Sequence, residues 1–160
     1  MPPQARTARC CVPMDKIDVL IIDGQNNHNW VDTTPFLKKH LEKTGRFAVD
    51  VTTSPRPEAD GAAWASWCPD FSKYDVLLSN YNNEKGSQWP NAVRQAFEKA
   101  IGGGVGLVNV HEANNAHKGW DGFEKMTGLL WRSNKDGKRF VVDADGKENW
   151  VPIGEGPSAG

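Results

Sequence analysis

Ile17-Asp18-Val19-Leu20-Ile21-Ile22 is a β-branched, nearly continuous apolar run closed by Asp23-Gly24. A run of that length and texture is a strand buried on both faces, and such a strand belongs to a parallel sheet covered by helices above and below. The residues that follow supply the pieces. Thr34 has the chemistry of a helix N-cap with Pro35 at the first helical position, and Phe36, Leu37, His40 and Leu41 fall on one helical face. Gly45 suits the end of that helix. Residues 47–52 alternate as a second strand, residues 75–79 form a third, and residues 105–110 a fourth. A second helix opens across residues 87–90 and carries Val93, Phe97, Ala100 and Ile101 on its apolar side before Gly102-Gly103-Gly104 stops it. A short helix is expected over residues 121–127.

Strand–helix–strand repetition with short turns gives a three-layer α/β sandwich with a mostly parallel, flavodoxin-like sheet of order 2-1-3-4. Residues 54–70 read as an irregular connection, with Cys68 a packed thiol. After Trp131 the Asp-Gly pairs at 136–137 and 145–146 flank Phe140-Val141-Val142 as a hairpin. No internal repeat or second core divides the chain, which reads as residues 1–14, an N-terminal tail expected to be disordered, and one domain over residues 15–160.

Charge excludes some functions. Lys and Arg total 19 against 20 Asp and Glu, so the basic excess of a nucleic-acid binder is missing. The longest apolar runs are strand-sized, well short of the roughly 18 residues of a membrane span. Three cysteines make no disulfide framework and no CxxC pair, which favours a reducing, cytoplasmic setting. Two apparent motifs fail on context. Gly102-Gly103-Gly104-Val105-Gly106 follows a helix and precedes a strand, the reverse of a phosphate loop. Gly156-Pro157-Ser158-Ala159-Gly160 lacks the strand and helix of a nucleophile elbow.

Ligands of open parallel sheets bind beyond the carboxyl ends of the strands. Here the first strand is followed by Asp23, Gln25, Asn26, Asn27, His28 and Trp30, the third by Asn80 and Asn82, and the fourth by His111, Glu112, Asn114 and Asn115. Amides both donate and accept, which suits a polyhydroxy ligand. Trp30 and Trp120, just beyond these loops, offer stacking surfaces. His28 and His111, with Glu112, are the candidate catalytic residues, because an imidazole exchanges protons near neutral pH. With Asp23 or Glu112 they could instead ligate a metal. The remaining named residues are candidate substrate contacts, and His40 and His117 read as structural or solvated. No cofactor and no bound metal are assigned.

These same loops carry a resemblance. The run from Val19 to Trp30, Ser79-Asn80-Tyr81-Asn82, Trp89-Pro90, Gly103-Gly104, Val110-His111-Glu112-Ala113-Asn114-Asn115-Ala116 and Gly128-Leu129-Leu130-Trp131-Arg132 resemble, in order, the motifs of ThuA-like (trehalose utilisation) proteins. The resemblance implies a class I glutamine amidotransferase-like fold and a role in catabolism of trehalose and its keto derivatives. The partner it implies is a small-molecule sugar, with a homo-oligomer as a further expectation. Amidotransferases of that fold carry a cysteine after the fourth strand, where this chain has His111-Glu112-Ala113, so glutamine hydrolysis through a thioester is not supported. Glu112 stands where the family pattern has a small residue. The family pattern also continues beyond Gly156-Pro157, so the domain is expected to be a C-terminally shortened version. The alternatives to a sugar-modifying enzyme are a non-catalytic carbohydrate-binding or assembly module and, more weakly, a metal-dependent hydrolase.

Overall fold

The computed structural model describes residues 15–83, 88–135 and 137–156. The expected tail (1–14), Ser87, Asp136 and residues 157–160 lie outside the described residues. The central sheet has four parallel strands, β1 (Ile17–Asp23), β2 (Phe47–Thr53), β3 (Val76–Ser79) and β4 (Gly106–Asn109), in the order β2-β1-β3-β4. That is the expected 2-1-3-4 order. Alternation sends Leu20, Ile22 and Leu77 to one face and Val19, Ile21, Val49 and Leu78 to the other.

Helix α1 (Trp30–Lys43) covers the second of these faces, with Leu37 and Leu41 packed on it. The first face carries the larger core. There α3 (Asn91–Gly102) contributes Val93, Phe97 and Ala100, and α4 (Asp121–Thr127) contributes Phe123. Phe71, Tyr81, Trp89 and Trp120 join them in a mutually packed aromatic cluster; Trp89 alone has four aromatic side chains of this cluster within about 6.3 Å between ring centroids. A short helix, α2 (Gly61–Ser66), and the Trp67 that follows it lie over the same side, with Trp64 and Trp67 against the cluster. Among the described residues, the hairpin of β5 (Arg139–Val142) and β6 (Glu148–Val151) pairs only with itself. At the sheet's edge strands, Val108 and Val51 remain exposed.

The structure corrects the sequence reading in four places. Helix α1 begins at Trp30, capped by Asn29, whose side chain accepts from the Asp32 N–H at 3.3 Å; Thr34 and Pro35 therefore lie inside it. Thr34 is buried and accepts from the Asn80 amide at 3.0 Å, so its hydroxyl serves a tertiary contact rather than a cap. Phe36 faces solvent and packs on the His40 ring instead of the core. The irregular connection contains α2, begun by Asp60 accepting from the Ala63 N–H at 2.8 Å. Cys68 is exposed, not packed; the core contacts of this segment go to its neighbours Trp67 and Phe71.

Candidate functional site

The β1–α1 loop can leave the sheet sharply because Gly24 adopts φ +118°, and a Cβ there would meet the Ser54 backbone oxygen at 2.6 Å. The loop then runs beside the one that follows β3. The Asn82 N–H donates to the Gln25 carbonyl at 2.9 Å, Asn26 donates to the Asn80 carbonyl at 3.2 Å, and Asn82 donates to the Asn27 side chain at 3.2 Å. The amides of two strand ends are thus laced together at the switch point of the sheet, the place where doubly wound folds bind ligands.

A crevice of about 380 Å³ opens there, lined by Gln25, Asn26, Asn27, Trp30, Asn82 and, from the β2–α2 loop, Arg56 and Glu58. That is near the lower end of the roughly 300–1,000 Å³ typical of ligand pockets. Asn82 is buried, and its Oδ1 has no hydrogen-bond donor among the described residues. An unpaired buried acceptor costs about 1–3 kcal/mol, and this one is closed to solvent, so a hydroxyl or water reaches it only once the Asn82 side chain or its cover shifts.

The histidines meet beside this crevice. His111 follows β4 at φ 46°, a strained strand-to-helix turn that lifts a side chain above the sheet. His28 is fixed at its backbone, whose N–H donates to the Asn26 side chain at 2.9 Å. Their rings lie 4.8 Å apart, and Glu112 Oε1 sits 3.4 Å from His28 Nε2 and 3.5 Å from His111 Nε2. Glu112 is half-buried; the imidazoles are open, at 51% and 71% side-chain exposure. The three groups can exchange protons with a bound molecule or hold a cation between them.

Other candidates go elsewhere. Asp23 is buried at the end of β1 and accepts from the Thr53 hydroxyl at 2.7 Å. Burial pushes its carboxyl above the ordinary range, while the hydroxyls of Thr53 and Thr34 pull it back. Asn80 spends its amide on Thr34. Asn114 joins the β4 loop to the Leu129 carbonyl and the Trp131 N–H. Asn115 accepts from Arg132, whose guanidinium also reaches the Ala116 carbonyl at 3.2 Å. These four residues brace the site rather than line the crevice. Trp120 is in the aromatic core, its indole N–H donating to Glu98 at 2.5 Å, and offers no stacking face to the crevice.

Arg56 and Glu58 escaped the sequence reading. They follow the carboxyl end of β2 as the other site residues follow β1, β3 and β4, so the same strand-end rule points to them. A separate cavity of about 700 Å³ lies between the α4 end and the hairpin and holds none of the expected residues.

The sequence model of the ThuA family, trehalose utilisation, matches residues 18–155. The chain belongs to the ThuA family. A crystal structure of a ThuA-like protein from Parabacteroides merdae superposes with a TM-score of 0.73 at 34% identity, over 86% of this chain. The matched region is 48% of that protein, so the chain spans about half its length. No curated protein matches the chain. Among the described residues, no helix of this ThuA-family chain is long and apolar enough to cross a membrane.

Proposed function

We propose that this ThuA-family chain binds a polyhydroxy sugar, of the trehalose or keto-disaccharide class, in the amide crevice between the β1 and β3 loops. The amide lining of the crevice carries the reading: Gln25, Asn26 and Asn27 offer donors and acceptors beside Asn82, whose buried Oδ1 is left without a donor among the described residues. Trp30 supplies an apolar wall for a sugar ring, and Arg56 and Glu58 add charged groups to the lining. A keto group acidifies the adjacent C–H bond. His28 or His111, paired with Glu112, is placed to move that proton.

Chelator-treated protein titrated with trehalose and a panel of keto-disaccharides tests this by NMR of the side-chain amides. The expected result is saturable shifts of the Asn and Gln amides at the crevice, with product signals for a keto-sugar. An unperturbed spectrum across the panel would refute the proposal. The exposure of both imidazoles favours one second reading, binding without turnover, because water has full access to the groups that would act. Shifts without product would select it.

A further inference from the structure

We propose that His28, His111 and Glu112 form a binding site for a divalent transition-metal ion of the zinc class, with Glu112 as the ligand that completes it. The ligand atoms of the three side chains all lie within 4.8 Å of one another. Two edges of that triangle are the 3.4 and 3.5 Å separations from Glu112 Oε1 to the two Nε2 atoms. Charge-assisted N–H···O bonds are about 2.7–2.9 Å, so these contacts are too long to be strong hydrogen bonds. They match the edge of a tetrahedron around zinc, about 3.4 Å for metal–ligand bonds of about 2.0–2.1 Å.

The third edge, between the imidazoles, is the one that must close, by at most about 1.4 Å for the same tetrahedral edge. Both rings are exposed, so small side-chain rotations achieve it. Glu112 shares the 3-10 turn after β4 with His111 and is the least exposed of the three, which makes it the anchor. Two imidazoles and one carboxylate leave at least one coordination position open, the pattern of a site that takes water or a substrate oxygen rather than a closed structural site.

This inference stands on the histidine cluster and does not depend on sugar binding in the crevice; zinc ligation and proton transfer use the same atoms of His28, His111 and Glu112 and exclude one another, and the zinc titration decides between them. The test uses zinc ion alone, titrated calorimetrically into the full chain, beside Glu112→Ala, His28→Ala, His111→Ala and the control His40→Ala, with folding checked by circular dichroism. One equivalent is expected to bind, at least tenfold weaker in each of the three cluster variants and unchanged in His40→Ala. In the unaltered protein, zinc should shift the ring resonances of two histidines and leave those of His40 and His117 in place. Cobalt should give visible bands without sulfur-to-metal charge transfer. Absence of binding, full affinity in Glu112→Ala, or a thiolate charge-transfer band from the cysteines would overturn the proposal.

Discussion

His117 makes the stability of this chain depend on pH in a way that can be calculated. It is 1% exposed, and the rings of Tyr81, Trp89, Trp120 and Phe123 surround it at centroid distances of 4.4–5.4 Å. Its Nδ1 lies 3.2 Å from Gln88 Oε1, so the neutral ring donates there, and Nε2 has no partner among the described residues. Burial, reinforced by the charges of Arg94 and Arg132, pulls its pKa down to about 3. The opposing effect is cation–π attraction from the aromatic cage, worth about 2 kcal/mol or more when desolvated. Desolvation of a fully enclosed imidazolium with two arginines nearby outweighs it.

The folded-state value is depressed, so the unfolded chain binds the extra proton first. Stability is full above the ordinary histidine value of about 6.5 and falls as pH drops through the interval toward about 3. By linkage the loss from this residue alone is about 2 kcal/mol between pH 8 and pH 5. For a domain of this size that is roughly 4–8 °C in Tm. Urea unfolding from pH 8 to pH 5 measures it, with His117→Phe as the reference. Phe keeps a ring at the same backbone angle and cannot titrate, so the difference between the two pH profiles isolates His117. Parallel profiles would show that the cage stabilises the imidazolium after all.

Other outcomes follow from the same structure. Asn82→Ala should weaken sugar binding roughly 3–10-fold by calorimetry, the value of about one hydrogen bond, while leaving the far-UV spectrum intact. Phe97→Ala should cost about 3–5 kcal/mol in urea unfolding, because Phe97 is buried against Phe71, Trp89 and Trp120. Gly24→Ala should cost about 3 kcal/mol or more, since a Cβ at φ +118° also meets the Ser54 backbone N at 2.7 Å; a neutral effect would refute the tight-turn argument. Exposed Val108 and Val51 on the edge strands should promote self-association, with Val108→Lys lowering the apparent mass in light scattering.

The strand order and the faces of the sheet were legible because a buried parallel strand leaves no ambiguity of period. Ile17 to Ile22 is apolar at nearly every position, and only helices on both sides can cover it. Helix α3 was legible for a related reason: Val93, Phe97 and Ala100 recur at helical spacing and all reach the core. Helix α2 was not, because GAAWAS is six residues long, shorter than two turns, and shows no periodicity for a reader to detect. The start of α1 was missed through competition between two caps. Asn29 and Thr34 carry equivalent local chemistry, and only the contact between Thr34 and Asn80, which is distant in sequence, decides that Asn29 caps and Thr34 is enclosed.

The site divides along the same line. Which loops gather at one edge follows from topology, so His28 and His111 could be placed together before their distance was known. Which amide lines the crevice and which braces it does not follow from topology, because asparagine is equally suited to either task. Asn82 keeps an unpaired acceptor, while Asn114 spends its side chain on Leu129 and Trp131, and no residue adjacent in sequence distinguishes them. Trp120 shows the limit from the apolar side. An indole near a ligand loop can be a stacking wall or a core plug, and here Glu98 and Arg94 from α3 decide the matter. One accepts its N–H and the other lies 5.7 Å over its ring, fixing it in the interior. Glu112 is the opposite case. A carboxylate after a loop histidine has no strong local reason to be half-buried, and its position between two imidazoles from different loops gives the edge of this sheet a charge that the amides alone could not supply.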